Sequence, residues 1–444
     1  MRPDLKYLSI PNAVRHAAAR FDDATAILDD GASWSYRDLE HQMLQAVRAA
    51  LALGIRHGDR VGICAHNSAE WIVAALGTQG AGGIAVPLSA HRPPAELAYA
   101  LRKSGATALI TSSAGEPDLI AELRSLDPAL PALGTTVAVP GRQGGADLSW
   151  SDFLAYGAAV PEGTAHASID RMAPDDVSEV MFTGGTCGRL KGAVLTHGQS
   201  LRAYGWMAQD CSLRDSDTVL AIRPFSDSFG CKAGWLAPFL HGARVVPLPW
   251  FDAVRALELI ERSAVSVVIA SPTNFQNLID VPSRSRYDTS SLRVSMTGGA
   301  TISEELLRAM KDDLSFDTVV NAFGPAESTG LATTTRINDS PELVAHTVGR
   351  AIPDAEVRIV DGGSAVPDGD PGEIHIRGYH VTRGYWEEPG ATAAAIDVNG
   401  WLHTGDTGAL DADGHLSLVE RGPSPADAGH ATRPLREGSV SQRS

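Results

Sequence analysis

The spacing of hydrophobic and polar positions alternates along the chain between a helical and an extended period. Apolar residues recur every three or four positions, as in amphipathic helices, over 14–19, 39–53, 68–80 and 93–104. Short apolar runs predict buried strands at 60–64, 83–88, 108–111, 177–182, 244–248, 265–270 and 292–297. Because strands and helices alternate, we predict right-handed crossovers in parallel sheets. Residues 134–170, rich in Gly, Pro and Ala, are predicted to be a loop.

After residue 348 the pattern changes to short strands separated by tight turns. Apolar and polar residues alternate over 356–360, 372–386 and 400–418, with Asp-Gly and Pro-Gly turns between them. This pattern predicts a small β-barrel subdomain that follows an α/β region. The last segment, 422–444, has the composition of a disordered tail.

Charge and cysteine content narrow the class of protein. A net charge of −16 argues against nucleic acid or an anionic membrane surface as the main partner. The four cysteines are widely spaced and suggest neither a disulfide framework nor a zinc site, which is typical of a reducing compartment. No apolar run reaches the roughly 18 residues of a membrane span, and no signal peptide opens the chain. We therefore predict a cytoplasmic protein.

Candidate chemistry begins where the predicted strand 177–182 ends. The residues that follow supply glycines, hydroxyls, a thiol and an ammonium group, namely Thr183, Gly184, Gly185, Thr186, Cys187, Gly188 and Lys191. Glycines let consecutive backbone N–H groups converge on one anion, and the side chains add donors and charge. The segment predicts a polyphosphate cradle, although it lacks the Gly-Lys-Ser/Thr step of a Walker loop. A Gly-rich surface loop without a ligand is the alternative interpretation.

This segment resembles the phosphate loop of the adenylate-forming superfamily, which includes acyl-CoA synthetases, adenylation domains and luciferases. The family pattern runs aromatic-T-S-G-T-T-G-x-P-K-G. Gly184 stands at its Ser, Cys187 at a Thr or Ser, and Leu190 at its Pro. Two hydroxyl donors are therefore lost, so we expect an altered hold on the triphosphate. The resemblance implies ATP and Mg²⁺ as cofactors and a catalytic role for Lys191.

Two further segments resemble family signatures and imply a nucleotide site. Gly299-Ala300-Thr301 resembles the segment that packs along the adenine, and Phe323, followed by Gly324, stands where an aromatic ring stacks on the base. Glu327 is implied to be a catalytic residue and the ligand of Mg²⁺, unless it merely caps a turn. Ala326 replaces the family's threonine, a ligand of the α-phosphate.

The segments 372–386 and 400–418 resemble the family's sixth and seventh signatures. The resemblance implies that Asp406 accepts hydrogen bonds from both ribose hydroxyls and that Arg421 lies beside it. The alternative is that Asp406 is an ordinary turn residue. The resemblance implies an adenylation domain over 1–421, with two parallel-sheet α/β subdomains over 1–335 and the β-barrel subdomain over 336–421. Relatives continue with a C-terminal lid domain that we expect to be missing here.

Asp227 is the candidate residue that departs most from the family. Residues 221–235 resemble the acyl-pocket segment of fatty-acyl and alicyclic-acid CoA ligases, but Ser226 and Asp227 replace its aromatic-His pair. A carboxylate there would repel a carboxylate substrate by roughly 1 to 4 kcal/mol. We predict that Asp227 binds an amine or takes its proton during attack. A solvated loop residue or a helix N-cap is the alternative.

Three functions follow from these residues. The first is an ATP-dependent, AMP-forming ligase that adenylates a small oxyacid and passes it to an amine acceptor. Diazotases that join nitrite to an aromatic amine are an example within this family. The second is a carboxylate-CoA ligase that acts as a truncated chain or with a separate C-terminal domain. For the chain in general, the candidate partners are a second copy in a homodimer or a separate C-terminal-domain protein. The third is a non-catalytic nucleotide-binding homologue.

Overall fold

Three β-sheets organise the part of the chain that the computed structural model describes. The described residues are 8–29, 31–112, 118–126, 130, 132–140, 144–184, 190–298 and 301–419. Within these ranges, no helix combines the length and hydrophobicity needed to cross a bilayer.

The first part of the chain alternates strands and helices as predicted. Its strands are β1 (Thr25–Asp29), β2 (Ala32–Ser35), β3 (Arg60–Cys64), β4 (Ile84–Pro87), β5 (Ala108–Thr111), β6 (Thr135–Ala138) and β7 (Leu148–Ser149). Its helices are α1 (Ile10–Phe21), α2 (Tyr36–Ala52), α3 (Ala69–Gly80), α4 (Pro94–Ser104), α5 (Leu119–Leu126), α6 (Trp150–Tyr156) and α7 (Glu162–Asp170). The strands predicted at 60–64 and 108–111 are confirmed residue for residue.

The middle of the chain continues this alternation. Its strands are β8 (Val177–Gly184), β9 (Leu190–Thr196), β10 (Thr218–Ala221), β11 (Arg244–Pro247), β12 (Val267–Ile269), β13 (Val294–Gly298), β14 (Thr318–Phe323), β15 (Thr333–Thr334) and β16 (Arg350–Ala351). Its helices are α8 (His197–Asp210), α9 (Ser228–Cys231), α10 (Ala237–His241), α11 (Ala253–Arg262), α12 (Pro272–Ile279), α13 (Glu304–Leu314) and α14 (Pro341–His346). A π-helical turn, Lys232–Leu236, joins α9 to α10.

The last part contains short antiparallel strands and one helix. These are β17 (Ala355–Asp361), β18 (Ser364–Ala365), β19 (Gly372–Gly378), α15 (Pro389–Ala395), β20 (Leu402–Leu410) and β21 (Leu416–Leu418).

Two large sheets confirm the predicted α/β fold with parallel-sheet subdomains. One has the strand order β7-β6-β5-β3-β4-β8-β9, and all its pairs are parallel except the last. The other has the order β16-β15-β14-β13-β12-β10-β11-β1-β2 and is parallel from β14 to β1. Helices cover these strands, so their residues are buried on both faces and appear in the sequence as continuous apolar runs.

The third sheet has the order β18-β17-β19-β20-β21 and only antiparallel neighbours. Where a small barrel was predicted, the described residues form an open five-stranded sheet with β18 and β21 at its edges. The nine-stranded sheet also continues to Ala351, past the division predicted at residue 335. The outer domain limits remain predictions, because 420–444 lies outside the described residues.

The prediction of a loop at 134–170 is wrong. The segment contains β6, β7, α6 and α7, and Ser149 caps α6 by accepting a hydrogen bond from the Asp152 N–H. In α7 only Ala165, Ser168 and Ile169 are buried. Two of these three side chains are small or polar, so the helix lacks the apolar periodicity that would predict it.

Candidate active site

The predicted phosphate loop connects the two strands of a β-hairpin. Strands β8 and β9 are antiparallel, and Thr183 on β8 lies directly opposite Lys191 on β9. Gly184 ends β8, whereas Gly185, Thr186, Cys187 and Gly188 lie outside the described residues. The hairpin therefore presents one hydroxyl and one ammonium group at the two ends of the predicted cradle.

Glu327 lies beside this hairpin, on the 3₁₀ turn Ala326–Ser328 that follows β14. Its Oε1 atom accepts hydrogen bonds from Thr183 Oγ1 at 3.1 Å and from the Tyr385 hydroxyl at 2.9 Å. Its backbone carbonyl accepts from the N–H of Thr382 at 2.6 Å. Two separate segments, β8 and residues 382–385, thus hold this half-buried residue, and both donate to its carboxylate.

Tyr385 reaches Glu327 because its segment pairs with the edge of the seven-stranded sheet. The N–H of Trp386 donates to the Gly192 carbonyl at 2.8 Å, and the N–H of Val194 donates to the Gly384 carbonyl at 3.0 Å. The pairing continues at the start of α8, where the Gln199 amide donates to the Val381 carbonyl at 2.6 Å. This short antiparallel pairing orients the Tyr385 side chain.

The Tyr385 ring also lies next to Lys191. The Nζ atom of Lys191 lies 4.9 Å from the ring centroid, a cation–π distance. Burial and the neighbouring charge of Glu327 raise the pKa of the Tyr385 hydroxyl, so it stays protonated and donates. Gly384 has φ +126°, and a Cβ there would lie 2.5 Å from the Thr392 side chain. The turn that aims Tyr385 therefore requires glycine.

Sequence reasoning missed Tyr385 as a site residue. The segment 372–386 resembles a family signature and has an extended pattern, but neither feature singles out Tyr385. Its Gly-Tyr-Trp sequence was an available signal, because glycine in a strand pattern marks a bulge or a close backbone approach, and tyrosine adds a polar hydroxyl to an apolar ring.

The donor set around Glu327 fits a hydrated Mg²⁺ bound to nucleotide phosphates. Magnesium takes oxygen ligands, keeps several waters and needs only one or two protein carboxylates. Glu327 supplies a carboxylate that, in the described part of the chain, accepts from two neutral hydroxyls, and Lys191 supplies charge for phosphate oxygens. When bound, Mg²⁺ would offset the negative charge of the phosphates, with Glu327 as its protein ligand.

The predicted adenine contacts are only partly described. Gly299 and Ala300 lie outside the described residues, and Thr301 is exposed just before α13. Phe323 is 1% exposed and belongs to the hydrophobic cluster next to the five-stranded sheet. Stacking of Phe323 on adenine therefore remains a prediction that requires the ring to be uncovered.

Gly324 and Ala326 have clearer structural roles. A Cβ on Gly324 would lie 2.5 Å from the backbone nitrogen of Leu331, so glycine permits the close approach of these two chain segments. Ala326 opens the 3₁₀ turn that carries Glu327, and its carbonyl accepts from the N–H of Thr329 at 3.0 Å. Their predicted nucleotide contacts stay predictions.

Asp227 is the N-cap of α9, so the helix-cap alternative is confirmed. Its Oδ1 atom accepts from the Gly230 N–H at 2.7 Å, and its Oδ2 atom accepts from Arg223 at 3.1 Å. Burial favours the neutral acid, but the Arg223 charge and the Gly230 hydrogen bond outweigh burial and lower the pKa of Asp227. A carboxylate with a lowered pKa is a weak base, which disfavours proton removal from an amine.

Arg223 connects Asp227 to the predicted adenine segment. Its Nη1 atom donates to the carbonyl of Gly298, the last residue before Gly299. A second buried ion pair lies nearby along the chain, between Lys232 on the π-helical turn and Glu179 on β8 at 2.5 Å. The loop around Asp227 is thus held by charged pairs that sequence reasoning missed, although the i,i+4 spacing of Arg223 and Asp227 was visible.

Asp406 lies on β20, half-buried, at an irregularity in the pairing with β19. Gly405 has φ +73° there, and the Asp406 N–H donates to Thr404 Oγ1 at 3.1 Å. The Gly405 N–H donates to Glu373 Oε1 at 3.0 Å, which fixes the other side of the irregularity. Its predicted partner Arg421 lies outside the described residues, so the ribose contact remains a prediction.

Comparison with known proteins agrees with the fold of the chain. The model of the AMP-binding enzyme family matches residues 14–386. A 7a-methyl-1,5-dioxo-octahydro-1H-inden-4-yl propanoyl:CoA ligase of Rhodococcus jostii strain RHA1 is 38% identical over 418 residues, which are 93% of this chain and 79% of the relative.

Solved structures share the fold over nearly the same range. The N-terminal domain of FACL13 from Mycobacterium tuberculosis superposes with a TM-score of 0.82 at 24% identity, covering 93% of this chain and 100% of that one. ATP-bound MatB from Rhodopseudomonas palustris gives a TM-score of 0.79 at 25% identity, covering 93% of this chain and 78% of that one. The chain therefore belongs to the AMP-binding enzyme family and is an adenylate-forming ligase related to the acyl-CoA ligases.

Proposed function

We propose that the chain is an ATP-dependent ligase that adenylates a carboxylic acid and passes the acyl group to the thiol of coenzyme A. The observation that carries this proposal is the assembly of Thr183, Lys191, Glu327 and Tyr385. It combines an oriented carboxylate for the phosphate-bound metal with an ammonium group at the end of the phosphate loop. These are the groups that stabilise charge on a reacting phosphate.

The proposed reaction has two steps. A carboxylate oxygen of the substrate attacks the α-phosphorus of ATP, the bond from that phosphorus to the pyrophosphate oxygen breaks, and pyrophosphate leaves. The thiol sulfur then attacks the acyl carbon, AMP leaves with the bridging oxygen, and the thiol proton passes to solvent. Lys191 offsets negative charge on the phosphates in the first step, and Tyr385 with Thr183 keeps Glu327 in position.

An alicyclic or fatty carboxylate is the acid that we propose. The relative from Rhodococcus jostii is named for a propanoate carried on a fused bicyclic ring, and it aligns over 93% of this chain. The segment after β10 also keeps Phe229, Lys232 and Gly234, which are among the residues by which it resembles ligases of such acids. Phe229 is 7% exposed and contacts the Tyr204 ring, so this segment belongs to an apolar region.

Transfer to an amine, including nitrite onto an aromatic amine, is the competing prediction. It depends on Asp227 meeting the acceptor, whereas this carboxylate is bound to Arg223 and to the Gly230 N–H. The relative from Rhodococcus jostii is named as a CoA ligase, which favours a thiol. We therefore keep the amine route as the contrasting outcome of the test.

The test separates the two half-reactions. Purified protein receives ATP, Mg²⁺ and a panel of alicyclic and fatty acids, and pyrophosphate release is measured with hydroxylamine as a trap for the acyl adenylate. Thioester formation is then measured with CoA. Acid-dependent pyrophosphate release and a thioester support the proposal. A diazo product from nitrite and an arylamine, without acid-dependent release, would replace it with the amine route. ATP binding without any AMP would favour the non-catalytic homologue.

A further inference from the structure

We propose that Glu373, His375 and His403 form a binding site for a divalent transition-metal ion of the zinc type on the five-stranded sheet. One ligand atom from each residue lies within 4.8 Å of the other two. Two imidazoles and one carboxylate are ligands that zinc prefers in proteins. The proposal does not depend on the adenylation reaction.

The register of the sheet brings the three side chains together. His375 on β19 is paired directly with His403 on β20. Glu373 precedes His375 by two positions, and alternate residues of a strand share one face. Ile374 and Ile376 lie in the hydrophobic cluster on the opposite face. The cluster therefore lies on the face of the sheet that points away from this core.

The two imidazoles are already close and parallel. Their ring centroids are 4.0 Å apart, with an interplanar angle of 15°. Within the described residues, His403 has no hydrogen bond to either ring nitrogen, so no protein donor competes for it. Zinc ligands lie about 2.0 to 2.2 Å from the metal, hence within about 4 Å of each other. Closing the site from a spacing of 4.8 Å requires side-chain rotation that takes the two rings out of their stacked arrangement, because a ring nitrogen binds a metal in the plane of its ring.

Glu373 gives the ion a route from solvent and an anionic ligand. Its side chain is 40% exposed, whereas that of His375 is 4% exposed, and His375 Nε2 lies 3.3 Å from Glu373 Oε2. The other carboxylate oxygen, Oε1, accepts from the Gly405 N–H. This hydrogen bond orients the carboxylate, just as partners that do not touch a metal orient the ligands that do.

Arg358 opposes metal binding. The proposal can therefore be tested by a variant that should strengthen zinc binding as well as by variants that should weaken it. Its guanidinium lies 3.4 Å from His375 Nδ1, and it pairs with Asp397 and stacks on Trp401. For Nε2 to bind zinc, the ring proton must reside on Nδ1, where it faces the guanidinium donor. Replacing Arg358 by glutamine removes a positive charge and supplies an acceptor oxygen for that proton.

The experiment titrates zinc sulfate into tag-free protein by calorimetry, and uses Co²⁺ absorption to report imidazole coordination. The protein carries Glu327→Gln to exclude metal bound at the nucleotide site. We expect saturable binding of one ion. His375→Gln, His403→Gln and Glu373→Gln should each weaken it at least about tenfold, and Arg358→Gln should tighten it about tenfold. Glu373→Gln retains an acceptor for the Gly405 N–H. Weaker zinc binding by this variant therefore reports the loss of the carboxylate charge alone.

His346→Gln is the matched control. His346 and Glu304 form a histidine–carboxylate pair at 3.1 Å without a third ligand in the described residues. This variant should bind zinc like the parent protein. Absence of saturable binding, or equal binding by the parent and the His375→Gln/His403→Gln double variant, would overturn the proposal. Circular dichroism of each variant confirms that a loss of binding is not a loss of folding.

Discussion

Glu327 and Asp227 are two carboxylates that the sequence places at ligand sites, and the structure treats them differently. Glu327 accepts from two neutral hydroxyls, those of Thr183 and Tyr385. Asp227 accepts from the N-terminus of a helix and from the guanidinium of Arg223. A carboxylate neutralised by an internal cation offers little charge to a ligand, whereas hydroxyl donors orient a carboxylate and leave its charge available.

The largest expected effect is that of Glu327→Gln. Glutamine keeps the size of the side chain and an oxygen for both hydroxyls, but removes the charge that would hold Mg²⁺. We expect acid-dependent pyrophosphate release to fall at least about 100-fold, a loss of about 3 kcal/mol of transition-state stabilisation. The midpoint of urea unfolding should stay unchanged. Glu342→Gln, on an exposed position of α14, is the control, and a Glu327→Gln rate within a few-fold of the parent would remove Glu327 from the site.

Asp227→Ala should act on stability instead. It removes an N-cap, worth about 1 kcal/mol, and takes the carboxylate partner from Arg223, whose side chain is only 10% exposed. We expect the free energy of unfolding in urea to fall by about 3 kcal/mol. Asp227→Asn retains the cap and should lose less. A slower transfer of the acyl group to the acceptor without loss of stability would instead support the predicted amine contact. It would contradict the view that Asp227 is structural and Glu327 is a ligand residue.

On acidification, the region around Glu327 and the region around Asp227 should lose their contributions to the free energy of unfolding at different pH values. His380 supports the Glu327 turn, since its carbonyl accepts from Thr329, and burial followed by the charge of Arg202 lowers the pKa of His380 to about 4. In the unfolded chain the pKa of this histidine is near 6.5. Its contribution to the free energy of unfolding is therefore complete above that pH and is lost as the pH falls toward 4. We expect a loss of about 1.4 kcal/mol per pH unit from this histidine.

The same titration treats Asp227 differently. Its folded pKa is lowered from 3.8, so its contribution is present above that pH and is lost only as pH falls further. Urea unfolding at about pH 7, 6 and 5 tests the window, and His380→Asn should reduce the slope there. Stability that stays constant down to about pH 4 would contradict the buried neutral histidine.

Tyr385→Phe should give the smallest effect. Phenylalanine keeps the ring beside Lys191 but removes the hydroxyl that donates to Glu327. We expect pyrophosphate release to fall about tenfold, since one hydrogen bond to a charged group is worth about 1.5 kcal/mol. The rate should fall with little change in stability. Thr183→Val is the companion variant, and an unchanged rate in both would show that Glu327 needs no orientation.

Much of the fold was predictable from sequence because buried parallel strands leave continuous apolar runs. Strands β3 and β5 were predicted exactly as found, while α7 was missed because its buried positions are mostly small or polar. In the site, Thr183, Lys191 and Glu327 were predicted and do lie together. The contribution of Tyr385 was not predictable from periodicity, because it depends on hydrogen bonds between segments far apart in the chain, such as that from the Thr382 hydroxyl to the Val194 carbonyl 188 positions away.

The pairing between β9 and the Tyr385 segment also sets an order of events during synthesis. β9 is the last strand of its sheet, so its outer edge stays open until Gly384 to Trp386 have been made. At roughly 5 to 20 residues per second, Tyr385 leaves the ribosome about 10 to 40 seconds after Thr183. During that interval the residues that pair with the outer edge of β9 have not yet been made. This edge is where premature association with other chains would begin, and its closure coincides with completion of the assembly around Glu327.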